Sequence, residues 1–392
     1  MAHTAQQRAS HEVVIVGGGP GGSALGALLA RRGVSTLILD RSTFPRPKPC
    51  AGMLSPFGVE AVRAVFGDDA LRRATITTST GCRMFYHDQP VADWEGTDQA
   101  VFADRAEMDA QFLSVARAEG CSVAEGDAVV EVDPTGPSVR LASGREERGA
   151  VLVGADGAQS VVYRAVRRGG TRRRRRAFGL VADVPVEQLS DPAMRDACRR
   201  VPHIYFGLLP WGYGWIFPKG ERVSIGLAGL IRRGVGFREH FEAFVARTCV
   251  PGTFKGLALR GHRIPYEQFG RSPGRGPVLL VGDAAGMIEP VTGEGIAFAI
   301  EAARLAAPAI AEALERGAPG RAGRRYNKAY RRTLYPRLWH GGWARWFLYG
   351  RACLPRAMRA LRRRPERVRW YFDLSAGRLT YPGYFRRLFF RR

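Results

Sequence analysis

Residues 12–40 read EVVIVGGGPGGSALGALLARRGVSTLILD. The pattern is an apolar strand at 13–16, a tight glycine turn, a helix over 20–32 stopped by Gly33, and a second strand at 36–39. Gly17, Gly19 and Gly22 have the G-x-G-x-x-G spacing. The first lets the chain turn, the second lets backbone approach a pyrophosphate, and the third lets helix pack on strand. The helix start presents unpaired N–H groups and a partial positive charge to phosphate. Asp40 ends the second strand, where an acidic side chain would hold a ribose hydroxyl. The stretch predicts a dinucleotide-binding βαβ unit, and alone it does not separate NAD from FAD.

Outward from this stretch, 392 residues at 45% hydrophobic content allow a large core in two or three units. Six cysteines (50, 82, 121, 198, 249 and 353) form no C-x-x-C pair, which argues against a zinc site or a disulfide framework. A reducing, cytoplasmic setting is expected. The first eleven residues carry no secretory signal pattern, and no window reaches the ~18 apolar residues of a spanning helix. The net charge of +24 is uneven: residues 321–392 hold 21 Lys and Arg against two Asp and Glu. The rest is close to neutral.

After Asp40, RSTFPRPKPCAGMLSP is held extended by Pro45, Pro47 and Pro49 and carries Arg46, Lys48 and Cys50. It reads equally as a surface loop or as a loop laid over the nucleotide. A helix is expected near 55–72, short strands with turns over 74–101, and a helix bearing Arg105 and Asp109 after that. A strand pair over 121–142 leads to a buried strand at 151–153, then Gly154-Ala155-Asp156-Gly157 and a helix with Arg164. The arginine run Arg172–Arg176 is expected to be a solvated loop. Residues 178–230 alternate like antiparallel strands, with Trp211, Tyr213, Trp215 and Phe217 facing either a ligand or plain core. A helix near 237–249 and further strand to about 268 follow. Then a strand at 278–281, Gly282-Asp283, and a loop with Pro290, Gly293 and Gly295 run into an apolar helix.

Together these motifs resemble FAD-dependent oxidoreductases of the p-hydroxybenzoate-hydroxylase fold, and within them the geranylgeranyl reductase group. The resemblance rests on GGGPGG with Asp40, GADGAQS at 154–160, GDAAGMIEPVTGEGI at 282–296, FPRPKPCAG and YGWIFPKG. It covers roughly residues 12–310. Ala51 stands where that group usually has a second glycine, and Asp40 where it usually has glutamate. The fold this implies is α/β: a Rossmann-like FAD-binding domain with an inserted antiparallel β-sheet substrate domain and a basic, helical C-terminal tail. The implied segments are 1–72, 101–177 and 271–320 for FAD binding, 73–100 and 178–270 for the substrate sheet, and 321–392 for the tail.

The resemblance implies FAD pyrophosphate on Gly17, Gly19 and Gly22, adenosine ribose on Asp40 with Arg41 beside it, and Arg105 near the phosphates. Asp283, after Gly282, would hold the ribityl chain, and Pro290, Gly293, Gly295 and Ile296 would lie against the flavin ring. Asp156 would link cofactor and nicotinamide binding. Cys50, Ala51 and Gly52 would sit near the ring, Cys50 as a candidate in catalysis, and Tyr213, Trp215 and Phe217 would line a tunnel for a polyprenyl chain. Asp283 alone also reads as a helix N-cap, and Cys50 as a buried structural thiol. The implied reaction is saturation of isolated double bonds by hydride from reduced flavin, with NAD(P)H or a separate reductase as electron source. A flavin hydroxylase on the same scaffold is the alternative, while a halogenase is disfavoured because Tyr213–Pro218 lacks the W-x-W-x-I-P order. The tail mixes sixteen aromatics with its cations, which suits the headgroup zone of an anionic membrane better than nucleic acid. A cytoplasmic protein peripheral to the inner face of the cell membrane is expected.

Overall fold

The computed structural model describes residues 11–166, 177–266, 268–350 and 352–390. A six-stranded sheet forms the first layer. Its strand order is Gly274–Arg275, Val278–Leu280, Val151–Gly154, Val13–Val16, Thr36–Leu39 and Ser122–Ala124. All its pairs are parallel except the first, with Val13 level with both Val151 and Thr36. The central strands read as unbroken apolar runs because helices cover both faces. The helix Pro20–Ala30 begins with proline at its first turn, and after it Gly33 turns the chain back at φ 71°. Small residues let it lie close to the helix Ile296–Glu315: a Cβ on Gly21 would sit 3.3 Å from the Ala299 Cβ.

The second layer is an eight-stranded sheet in the order Arg260–Ile264, Ala177–Pro185, Arg222–Leu230, Gly212–Lys219, His203–Phe206, Thr75–Tyr86, Gln89–Ala103 and Met53–Leu54. It is antiparallel except where His203–Phe206 meets Thr75–Tyr86. Three expectations change here. The short strands foreseen over 74–101 are one long hairpin, turned at His87 and Asp88, both at positive φ, which matches the twist of paired strands. Bulges along it, between Thr75 and Thr77 and between Ser79 and Gly81, broke the alternation that would have signalled a long strand. The 178–230 stretch is interrupted by a helix, Pro192–Cys198, capped by the Asp191 carboxylate. And the pair at 121–142 splits: Ser122–Ala124 joins the parallel sheet, while Val129–Asp133, Ser138–Leu141 and Glu146–Arg148 form a small sheet of their own. The Arg172–Arg176 run lies outside the described residues.

One face of the eight-stranded sheet is covered by the helix Phe237–Thr248. The other face meets C-terminal helices: Leu334–Tyr349, Cys353–Arg363, Val368–Ser375 and Tyr381–Phe390 pack on it as a second core. The preceding helix, Ala322–Arg332, packs on the parallel sheet. Its Asn327 side chain donates to Gly274 O and accepts from Gly274 N, both at 2.8 Å, and so closes the edge of the parallel sheet. Among the described residues, no helix is long and apolar enough to cross a membrane.

Candidate active site

A cavity of about 740 Å³ opens beyond the carboxyl ends of the parallel strands and runs onto the inner face of the eight-stranded sheet. The glycine turn lines one part of it. Gly17 has φ 106° and a Cβ there would lie 2.5 Å from Ala155 O. A Cβ on Gly22 would collide with Gly17 O at 1.8 Å. Gly19 differs: its Cβ would meet only Arg46 Nη2, at an ordinary 3.6 Å. The fold itself therefore needs glycine at 17 and 22 but leaves room at 19. The helix above Gly19 has no side-chain cap and no acidic residue in its first turn. Bare backbone under uncapped N–H groups is a cradle for a pyrophosphate.

Asp40 lines the same cavity, with its Oδ2 accepting from Gly18 N at 2.7 Å and its Oδ1 from Ser42 N at 2.8 Å. It braces the turn, and each oxygen keeps a lone pair for a hydroxyl. Arg41 lies beside it on the rim. Arg105 is buried, with two hydrogen bonds to Asp109 at 3.1 and 3.0 Å, and Arg46 approaches the same carboxylate at 3.4 Å. One fully buried acid thus fixes two cavity-facing guanidinium groups. Asp156 caps the helix Val161–Val166 through Val161 N at 2.6 Å, while its other oxygen is buried with no hydrogen-bond partner. Burial pushes its carboxyl up.

The proline-rich segment after Asp40 lines the same cavity through Arg46, Pro47, Lys48, Pro49 and Cys50. Lys48 Nζ donates to His262 Nε2 at 3.0 Å. Burial lowers Lys48, opposed by Asp283; burial beside Lys48 and Arg105 pushes His262 down to about 4, which leaves its ring neutral and able to accept. Burial raises Asp283, and Lys48 and Arg105 offset part of that. Cys50 and Ala51 line the cavity, and the Cys50 Sγ accepts from Gly52 N at 3.4 Å. Gly52 and Gly22 do not line it. Each instead permits a close backbone contact beneath the wall, Gly52 against Ala103 O.

Gly282, Asp283, Pro290, Gly293, Gly295 and Ile296 all face the cavity. Four tyrosine hydroxyls tie down the loop that carries the last four. Tyr213 donates to Thr292 O at 2.7 Å, Tyr349 to Val291 O at 2.9 Å, Tyr266 to Pro290 O, and Tyr381 to the Glu289 carboxylate. Glu289 is 2% exposed and also accepts from Val291 N and Thr292 N. Beside it Glu294 receives the Ser55 hydroxyl at 2.8 and 2.9 Å. Burial pushes the Glu294 carboxyl up to about 7 against the pull of Ser55 and Arg337. Both Ser55 and Glu294 are on the cavity wall.

Tyr213, Trp215 and Phe217 alternate along Gly212–Lys219, so the two-residue repeat of a strand turns all three to the cavity. These aromatics pack in the core of the sheet and also form wall of the cavity. Tyr349, Tyr371 and Phe372 complete the wall from the C-terminal helices, where Phe372 stacks on Trp94 at 4.3 Å. The sequence reading missed Ser55, His262, Glu289, Glu294 and these tail aromatics. Glu294 had a local signal, an acid between two loop glycines. The tail residues had none, because only the tertiary fold brings them to the cavity.

Residues 10–339 match the family model described as FAD binding domain. The chain is similar to the menaquinone reductase of Mycobacterium tuberculosis, 31% identical over 318 residues covering 76% of each chain. It is similar to digeranylgeranylglycerophospholipid reductase 2 of Methanothermobacter thermautotrophicus, 29% identical over 83% of this chain and 84% of that one. Among solved structures it resembles a geranylgeranyl bacteriochlorophyll reductase-like protein from Thermoplasma acidophilum, with a TM-score of 0.73 at 21% identity over 87% of this chain and 88% of that one.

Proposed function

The chain belongs to the FAD binding domain family of oxidoreductases, and we propose that it saturates isolated double bonds of a polyprenyl lipid. The observation that carries this is the continuity of one cavity. The same space holds the dinucleotide cradle at Gly19 and an aromatic wall from Tyr213 to Phe217 that suits a long apolar chain. The names of the relatives, which include a menaquinone reductase and a digeranylgeranylglycerophospholipid reductase, support the same substrate class.

The residues fit FAD. The open face of Gly19, the uncapped helix start and the unpartnered Asp156 oxygen are features that a bound dinucleotide satisfies. Gly17, Gly19 and the Pro20–Ala30 helix would hold the pyrophosphate, with Gly22 packed beneath them. Asp40 and Arg41 would hold the adenosine end, Arg105 and Arg46 the phosphates, and Asp283 the ribityl chain. Pro290, Gly293, Gly295 and Ile296 would face the ring. When bound and reduced, FAD supplies the hydride that adds to one alkene carbon.

The chain's own residues must do the rest. An unactivated alkene needs a proton at its other carbon. Cys50 or Glu294, both on the cavity wall, would hold that proton. The loop tied by the four tyrosines fixes the floor on which the reacting carbons rest. The aromatic wall excludes water and keeps the prenyl chain extended. NAD(P)H, or a separate reductase, would supply electrons; the chain has a single G-x-G-x-x-G, so nicotinamide would bind transiently. The basic 321–392 region would hold the protein on the cytoplasmic face of an anionic membrane, where the substrate resides.

The test is anaerobic. Dithionite-reduced protein is mixed with geranylgeranyl diphosphate or a menaquinone in detergent and the products are weighed. A gain of two hydrogens per bond supports the reading. A product heavier by one oxygen, formed only on admission of air, overturns it in favour of a hydroxylase.

A further inference from the structure

The helix Leu334–Tyr349 has two faces of opposite character. Leu334, Leu338, Gly341, Ala344 and Tyr349 are buried against the body. Trp339, Trp343, Trp346 and Phe347 are 54%, 53%, 44% and 38% exposed. Their spacing of four, three and one residues places all four on one stripe. Phe385 of the Tyr381–Phe390 helix extends it, with its ring 5.7 Å from Trp343 and 5.6 Å from Phe347. The other exposed large apolar side chains among the described residues, Ile76, Val130 and Ile231, lie in other elements and form no such stripe. A contiguous apolar surface of this kind marks a contact.

We propose that this aromatic stripe is the surface that enters the interfacial zone of an anionic lipid bilayer, and that it borders the cavity's own wall. Charge complementarity decides the occupant. The Cys353–Arg363 helix packed against the stripe helix exposes Arg356, Arg359, Arg362 and Arg363, and Arg386 is exposed next to Phe385. A second copy of the chain would bring the same excess of 21 basic over two acidic residues to the contact, and so would repel. Anionic headgroups neutralise it, while the tryptophans sit at the headgroup level they favour. The link to the site is Trp346. Its ring meets Trp211 edge-on at 4.7 Å, and Trp211 lines the cavity. The bilayer contact and the prenyl wall thus share one boundary, so a prenyl chain passes between them without crossing water. This last step rests on the polyprenyl reading above; the bilayer contact does not.

The experiment uses the full chain as purified, with vesicles of phosphatidylcholine alone or with phosphatidylglycerol, some carrying brominated acyl chains that quench tryptophan. Variants are Trp343→Ser with Phe347→Ser, and Arg359→Glu with Arg363→Glu. The expected result is salt-sensitive binding to the phosphatidylglycerol vesicles, quenching by brominated chains, and binding weakened about tenfold or more by either pair at unchanged thermal unfolding. Three results would overturn it. One is no binding by folded protein. The second is binding that survives the serine pair and shows no quenching, a contact of charge alone. The third is a dimer in solution that the serine pair dissociates. Turnover of detergent-dispersed polyprenyl substrate is measured alongside. If it is absent while vesicle binding persists, the reductase reading fails and the surface stands; the converse pattern rejects the surface alone.

Discussion

The hydroxyl of Tyr381 donates to the carboxylate of Glu289 across 92 residues of chain, in a site where both are buried. One partner belongs to the last described helix and the other to the loop that lines the cavity floor. Gly341 is packed so close that its Cβ would lie 2.4 Å from the same carboxylate. The C-terminal region is therefore structural to the site, whatever its role at a membrane.

Removing that hydroxyl tests the tie. Tyr381→Phe leaves Glu289 Oε1 short of its donor in a dry setting, where an unmet acceptor costs about 1–3 kcal/mol. Urea unfolding should show a loss of that size, and FAD affinity should fall with it. Unchanged stability and affinity would mean the loop is held without the tail.

The glycine turn separates folding from binding. Gly22→Ala puts a methyl 1.8 Å from Gly17 O and should prevent a stable fold. Gly19→Ala meets only Arg46 at 3.6 Å, so the chain should fold and unfold normally but hold FAD at least tenfold more weakly. Thermal unfolding and flavin content of purified protein read the two outcomes. A Gly19→Ala protein with full flavin would contradict the pyrophosphate assignment.

Asp109→Asn strands two guanidinium groups at once. Arg105 is 8% exposed and Asp109 is fully buried, so breaking the pair leaves buried charge uncompensated at a cost of about 3–5 kcal/mol. Denaturant midpoints of the two proteins give the comparison. A change under about 1 kcal/mol would show that other groups neutralise Arg105.

Glu294 makes a pH prediction. Its folded value is raised from 4.5 to about 7, so its contribution to stability is fully present below pH 4.5 and is lost as pH rises through about 7. Glu294→Gln should flatten that part of the stability profile. If this carboxyl supplies the proton, turnover should also decline above about pH 7, and the glutamine variant should be slow at every pH. Turnover that keeps the wild-type pH profile in Glu294→Gln and collapses in Cys50→Ala would assign the proton to the thiol.

The nucleotide half of the molecule was legible because its information is local. Val13–Val16, the turn at Gly17 and Gly22, and the helix Pro20–Ala30 stand within one short stretch, and each glycine answers to a backbone atom that a side chain would strike. The same holds for Tyr213, Trp215 and Phe217, whose alternation fixes a shared face. The long hairpin Thr75–Ala103 was blurred by its bulges. Glu294 could be seen but not interpreted, since its raised pKa comes from burial, which no local pattern encodes. The tail was legible as basic, aromatic and helical. That Tyr349, Tyr371 and Tyr381 turn inward while Trp339 and Trp343 turn outward depends on which helix face meets the sheet.

In the proposed reaction, reduced FAD in this cavity gives its electrons to a polyprenyl double bond. The direct measurement follows the flavin absorbance of the reduced protein under strict exclusion of oxygen as a polyprenyl substrate is added. The oxidised spectrum should return at a rate that saturates with substrate, in step with saturated product. A flavin that stays reduced with substrate present, and reoxidises only when air enters, would contradict it.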